Sequence, residues 1–220
     1  MDSTTCLAIA IAEGFQCHTL AFDYGQRHRI ELALARKQSR MLRAHQHKVI
    51  RVDLRAVGGS ALTAAQRVPK GPTGRAIPST YVPARNAIFL SLGLAWAEVL
   101  GAEALFIGAN QVDFSGYPDC RREFLRSFER MANLATRCSS EGRRIRLRAP
   151  LLDLGKAEII RRGARLGVDY GYTHSCYDPV RDRACGRCPA CRLRLKGFAE
   201  AGMTDPAPYV RTRRRDRGRP

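Results

Sequence analysis

Gln16-Cys-His-Thr-Leu-Ala-Phe22 and Lys48-Val-Ile-Arg-Val-Asp-Leu54 bracket a segment, 29–44, in which Ile30, Leu34 and Met41 recur at spacings of four and seven. The flanking runs are short, apolar and β-branched, as strands are, and the segment between them has the helical period. Strand, helix, strand in that order argues for a parallel sheet, because a helix between two strands is the crossover that parallel pairing needs. The same alternation extends in both directions. Upstream, Met1 to Glu13 read as a helix that Asp2 or Ser3 caps and Gly14 ends. Downstream, a helix carries Ile88, Phe89, Leu92, Ala95, Trp96 and Val99, a short strand covers Ala104–Gly108, and a helix turns Phe124, Phe128, Met131 and Ala135 inward. Ile145–Leu147 read as a further strand and Lys156–Leu166 as a further helix. The expected fold class is α/β, a mostly parallel sheet covered by helices on both faces.

Residues 56–82 interrupt the rhythm with Gly58, Gly59, Gly71, Gly74 and prolines at 69, 72 and 78. A loop of this length in a compact domain is usually a lid or a binding loop. Polar and charged residues gather just past the expected strands, at Asp23–His28 and Asn110–Arg122. In open parallel sheets, ligands bind beyond the carboxyl ends of the strands. These two loops and the segment 77–86 are therefore the candidate site.

Cys176-Tyr-Asp-Pro-Val-Arg-Asp-Arg-Ala-Cys-Gly-Arg-Cys-Pro-Ala-Cys191 adds a second feature. Cys185, Cys188 and Cys191 are spaced Cys-x2-Cys-x2-Cys, and Cys176 closes the longer loop. Four thiolates with no carboxylate suit a structural, tetrahedral zinc ion, with an iron–sulfur cluster as the competitor. A disulfide pair or four unrelated core cysteines is the bland alternative. The apolar patch Leu7–Ala12 has neither a basic segment before it nor a small-residue cleavage site after it, so it does not read as a signal peptide. The expected compartment is the cytoplasm, where the metal is favoured over disulfides.

At 220 residues the chain can bury one sizeable core, and 45% hydrophobic with 26% charged residues is ordinary for a globular protein. No apolar run approaches the length of a membrane span. The formal charge is +18, of which residues 211–220, with six arginines and one aspartate, supply +5. The remaining +13 attracts anions in general: nucleotides, carboxylates, RNA. Aromatic residues, at 7%, do not interleave with the basic ones as a single-strand stacking platform would. The expected organisation is a nucleotide-binding α/β domain over 1–171, a four-cysteine module over 172–204, and a disordered arginine-rich tail over 205–220, the only part expected to touch nucleic acid.

Five motifs in order resemble one family. They are Asp2-Ser-Thr-Thr-Cys6, Phe22-Asp-Tyr-Gly-Gln-Arg-His28, Val82-Pro-Ala-Arg-Asn86, Asp113-Phe-Ser-Gly-Tyr-Pro-Asp-Cys-Arg121 and the cysteine cluster. In that order the chain resembles the 7-cyano-7-deazaguanine synthases, PP-loop ATP pyrophosphatases that turn 7-carboxy-7-deazaguanine and ammonia into the nitrile on the way to queuosine. The resemblance implies a doubly wound sheet, a homodimer, one zinc per chain, and ATP used with magnesium. Carried over by residue, it implies Asp2, Ser3 and Thr4 for ATP and its magnesium, and Ser3, Arg85 and Lys156 in catalysis. For the deazaguanine it implies Asp23, Gln26, Asn86, Asp113, Tyr117 and Arg121. The family's phosphate loop reads Ser-Gly-Gly-x-Asp-Ser after an apolar strand, and Met1 stands at the x position. The expectation is that the working protein carries roughly ten further residues before Met1, a strand of typical length plus Ser-Gly-Gly. Without them ATP chemistry is expected to fail. The competing readings are a PP-loop ATPase that modifies tRNA and an inactive, N-terminally truncated paralogue.

Overall fold

β1 (His18–Asp23) and β2 (Gln46–Arg51) run parallel, with His18 opposite Gln46 and Asp23 opposite Arg51, and α2 (Ile30–Met41) makes the crossover between them. The structure is a computed structural model that describes residues 1–71, 77–110 and 117–210. A second parallel pair joins β3 (Ala104–Phe106) to β4 (Arg146–Arg148), with α4 (Arg122–Ala135) in its crossover. The other helices of ten or more residues among the described residues are α1 (Asp2–Ala12), α3 (Arg85–Leu100), α5 (Lys156–Arg165) and α6 (Pro189–Glu200), and a four-residue helical turn, Arg137–Ser140, follows α4. Among the described residues the strands form two separate two-stranded ladders. A slot of about 520 Å³ is bordered by β1, β3, α1 and α3, with Leu20, Phe22, Leu105 and Gly93 on its walls.

The cores follow this division. Leu90 and Leu94 of α3 pack with Leu125 and Phe128 of α4 and with Ile145 beside β4. Ala8 of α1, Ile160 of α5 and Phe198 of α6 form another cluster with Tyr170. A third gathers the four cysteines with Tyr24, Leu54, Leu62, Val68 and Val82. The described part of the long loop is therefore packed down: Ala61 and Leu62 are fully buried.

Two helix faces differ from the periodic reading. In α4 the buried residues are Leu125, Phe128 and Ala132, whereas Met131 is 40% exposed and Ala135 lies outside. The apolar stripe continues through the small Ala132, which a reading weighted towards large side chains passes over. In α2 the exposed end is Met41, and the buried positions are Gln38 and Ser39. Both are polar groups with partners: Gln38 Nε2 donates to the Asp169 carbonyl at 2.6 Å, and Ser39 shares a hydrogen bond with Thr19 at 2.8 Å. Burial without such partners would cost about 1–3 kcal/mol per group.

The C-terminal helix is fastened by a buried ion pair. Arg194 of α6 meets Asp205 at 2.8 Å, both nearly inaccessible, and also donates to the Thr173 and Tyr170 carbonyls at 3.1 and 2.9 Å. Every guanidinium nitrogen is thus committed, which is the condition under which such a charge is tolerated inside.

Candidate functional site

The four cysteines converge. Their sulfurs all lie within 4.8 Å of one another, and all four side chains are buried. A tetrahedral ion with sulfur ligands at about 2.3 Å separates them by about 3.8 Å. Cys176 and Cys188 stand 3.9 Å apart. Backbone N–H groups point at the sulfurs, from Asp178 and Cys185 to Cys176 Sγ at 3.4 and 3.2 Å, and from Arg187 and Cys188 to Cys185 Sγ at 3.4 and 3.3 Å. Lys70 Nζ lies 3.5 Å from Cys185 Sγ and 2.5 Å from Asp178. Donors of this kind stabilise thiolates. Packed this closely, the sulfurs divide unequally: the hydrogen bond with Cys188 pushes the Cys176 thiol up to about 12, and its other half draws Cys188 down. A thiophilic dication that takes all four ligands would remove that conflict. Gly186 sits at φ 69°, the left-handed conformation that the Cys-x2-Cys turn uses, and Pro189 opens α6 where a missing N–H costs nothing.

The second site is the start of α1. No side chain among the described residues caps this helix, which leaves its first N–H groups to meet an anion at the positive end of the helix dipole. Asp2, Ser3 and Thr4 supply that first turn. Gly108, just past β3, lies so close that a Cβ there would stand 2.9 Å from the Ser3 nitrogen. The end of one strand and the start of the helix therefore meet only because position 108 is glycine. Lys156, the first residue of α5, places Nζ 2.5 Å from Asp2 Oδ2, and Asn110 Nδ2 approaches the same oxygen at 3.4 Å. Asp2 Oδ1 is buried with no hydrogen-bond partner among the described residues. Lys156 in turn rests on α6, where a Cβ added at Gly197 would stand 2.7 Å from Lys156 Cβ. One helix thus carries both a cysteine of the four-cysteine cluster and the surface behind this lysine.

A third group surrounds Arg85. Ala84, immediately before it, holds φ 50°, a left-handed conformation that costs an alanine about 1 kcal/mol. Burial opposes the Arg85 charge, but Tyr24, which it also hydrogen-bonds, and Tyr177 hold the guanidinium above its ordinary pKa. Burial pushes the Tyr24 phenol to about 12. Glu31 accepts from Gln26 Nε2 at 2.8 Å and lies 3.3 Å from His28 Nε2. Burial alone would raise its pKa; the His28 and Gln26 hydrogen bonds hold it below the ordinary value. His28 Nδ1 is buried without a partner among the described residues. Sequence reasoning places His28 at the end of the candidate loop Asp23–His28 but misses Glu31, its partner. An acidic residue in a helix's first turn reads as a dipole partner, and only the spacing Gln26-x-His28-x-x-Glu31 hints at more.

The remaining candidates are placed unevenly. Gln26 spends its amide inside its own loop, accepting from the Tyr24 N–H at 2.8 Å and donating to the Phe22 carbonyl at 2.9 Å. Asn86 is tied by its N–H to Asp119 at 2.8 Å and by its amide to Cys120 Sγ at 3.0 Å, which anchors the start of α3. Asp23 ends β1 and pairs with Arg29. The Tyr117 ring stacks on Tyr81 at 5.7 Å. Arg121 is exposed at the start of α4 with no ion pair among the described residues. Asp113 lies outside the described residues, as do residues 211–220 of the tail expected over 205–220; its first part is packed down instead, with Asp205 on Arg194 and the Tyr209 hydroxyl donating to Asp205 at 2.6 Å.

A family profile described as "Queuosine biosynthesis protein QueC" matches residues 1–202. The chain belongs to the QueC family. It is 63% identical over 212 residues to the 7-cyano-7-deazaguanine synthase of Geobacter sulfurreducens, covering 96% of this chain and 90% of that protein. It is 61% identical to the synthase of Geotalea uraniireducens, with coverage of 96% and 93%. For the synthase of Anaeromyxobacter dehalogenans the identity is 60%, with coverage of 96% and 92%. No helix among the described residues of this QueC family member is long and apolar enough to cross a membrane.

Proposed function

We propose that this chain is an ATP-dependent carbon–nitrogen ligase that converts 7-carboxy-7-deazaguanine and ammonia into 7-cyano-7-deazaguanine, with release of AMP and pyrophosphate. The observation that carries the reading is the 58–63% identity to synthases of that name along 95–96% of the chain. The geometry at the start of α1 agrees with it.

A carboxylate is a poor electrophile. Its oxygen first attacks the α-phosphorus of ATP, pyrophosphate leaves, and ammonia displaces AMP from the acyl carbon to give the amide. The amide oxygen then attacks the α-phosphorus of a second ATP, and pyrophosphate leaves again. Loss of both N–H protons and of AMP leaves the nitrile. Throughout, the protein positions groups and stabilises charge at phosphorus. The N–H groups of Ser3 and Thr4 and the Ser3 hydroxyl hold the departing pyrophosphate. Lys156 moves from Asp2 to the phosphates as negative charge develops there. Asp2 Oδ1, buried and without a partner among the described residues, suits a hard cation, and magnesium bound there would supply charge neutralisation at the phosphates. Arg85, Arg121 and Tyr117 face the substrate carboxylate and ring; Asp23 and Asp113 accept from its amino-pyrimidine edge. In this reading Gln26 and Asn86 act by shaping their loops. The ion of the cysteine cluster is zinc and its role is structural. The two ladders belong to one doubly wound sheet, and the chain works as a homodimer.

Incubation with ATP, ammonium and the carboxylate should give AMP and the nitrile together, by chromatography and mass spectrometry. AMP formed equally without the carboxylate, or no nitrile at any enzyme concentration, would overturn the proposal.

A further inference from the structure

Away from this site a groove of about 1290 Å³ lies between α4 and β4. Six arginines line it, in two rows with different periods. Arg122, Arg126 and Arg130 recur every fourth residue along α4, and Arg144, Arg146 and Arg148 recur every second residue along and just before β4. Eight helical residues rise about 12 Å and four strand residues about 13 Å, so the rows match in length. The helix and strand periods each turn their arginines to the same trough.

The counter-charges do not cancel them. Arg122 pairs with Asp153 at 2.6 Å and Arg148 with Glu13 at 2.9 Å. Arg126, Arg130, Arg144 and Arg146 are exposed and have no ion pair among the described residues. Of the three acids on the wall, Asp153 is taken by Arg122, Glu103 sets one negative charge against the four arginines, and Glu129 accepts from the Leu147 N–H at 2.7 Å. That bond also settles what the groove cannot hold. The outer edge of β4 is closed by side chains, since Asn133 bonds both the N–H and the carbonyl of Ile145, at 3.0 and 2.8 Å. An incoming peptide strand would find no free ladder there. What remains is a trough of unpaired guanidinium groups in a chain of net charge +18.

We propose that this groove binds the phosphate backbone of duplex RNA, independently of nitrile synthesis. Two parallel rows of arginine fit a pair of phosphate chains, and guanidinium meets phosphate by bidentate hydrogen bonds. A low aromatic content is no obstacle, because duplex RNA is recognised through shape and phosphate contacts. Sequence preference should be absent, since such contacts position without reading bases.

The test is fluorescence anisotropy with a 20-base-pair RNA hairpin and the full-length chain. Four neutralised phosphates give a slope of log K against log salt of about −3 to −4, roughly a hundredfold loss between 50 and 200 mM. The variant R126Q/R130Q/R144Q/R146Q should bind at least tenfold more weakly and lose most of that slope, while nitrile synthesis stays unchanged. The corresponding lysine variant, which keeps the charge, should retain most of the binding and controls for a folding defect. Deletion of residues 211–220 isolates the tail. If binding vanishes with the tail and survives the glutamine variant, the proposal is overturned. Equal binding of polyglutamate with the same dependence on the four arginines would overturn it in favour of an acidic protein partner.

Discussion

Replacement of Lys156 by methionine separates the chemical role of this lysine from its structural one. At 2.5 Å from Asp2, with 12% and 24% of the two side chains exposed, the gross attraction at an effective dielectric of 20 is about 7 kcal/mol. Desolvation and side-chain ordering return most of it, so this largely buried but still water-touched pair contributes about 1 kcal/mol net to folding. For a chain of this size that is a fall of about 2–4 °C in Tm. A preorganised charge aimed at a developing phosphate anion contributes about 3–4 kcal/mol, or 10²- to 10³-fold in rate. The chemical effect should therefore dominate. Lys156→Met should lower kcat a hundredfold or more, with an unfolding midpoint within a few degrees of the parent, and Lys156→Arg should recover part of the loss. The assays are pyrophosphate release in a single turnover and calorimetry on the same sample. A Lys156→Met enzyme that retains more than a tenth of the parent kcat would refute the assignment.

Cys188→Ser should abolish stoichiometric zinc, read by elemental analysis of dialysed protein, and lower Tm by 10 °C or more; a full equivalent of zinc at an unchanged Tm would refute the structural assignment. Arg194→Met removes one partner of the buried pair and leaves Asp205 charged, so it should cost about 3–5 kcal/mol in urea unfolding. For Glu31 and Asp205 burial opposes the charge, but hydrogen bonds, from His28 and Gln26 in one case and from Arg194 and Tyr209 in the other, hold the folded pKa below 4.5 and 3.8. Their contribution is therefore complete above those unfolded values and is lost as pH falls through the depressed folded ones. Acid titration of stability should flatten below pH 5 in Glu31→Gln/Asp205→Asn, and an unchanged acid limb would contradict this. Deletion of residues 211–220 should leave nitrile turnover unaltered; a large drop would make the tail part of the site.

What could be read in the sequence was what is local. The spacing of Cys185, Cys188 and Cys191 fixes neighbouring sulfurs by turn geometry, and the ligand cluster follows. The β1–α2–β2 alternation is equally local, and parallel pairing is its direct consequence. What escaped depends on partners far along the chain. Arg194 on an amphipathic helix reads as solvated until Asp205, Thr173 and Tyr170 close round it. Gln26 and Asn86 have the residue types of ligand contacts, yet their hydrogen bonds are consumed by Tyr24, Phe22 and Asp119, which no spacing rule discloses. Lys156 is the opposite case: an ordinary first-turn lysine that tertiary contact brings, across 154 positions, onto Asp2.

The absence of a side chain at Gly197 ties the spacing of two helices to a single hydrogen atom. The helix that bears Gly197 begins at the cysteine cluster, with Cys191 only six residues, about 9 Å, from the glycine. Any side chain there would have to displace Lys156, whose Cβ would stand 2.7 Å away, so the packing that sets this lysine against Asp2 and the helix that carries Cys191 share one point of contact.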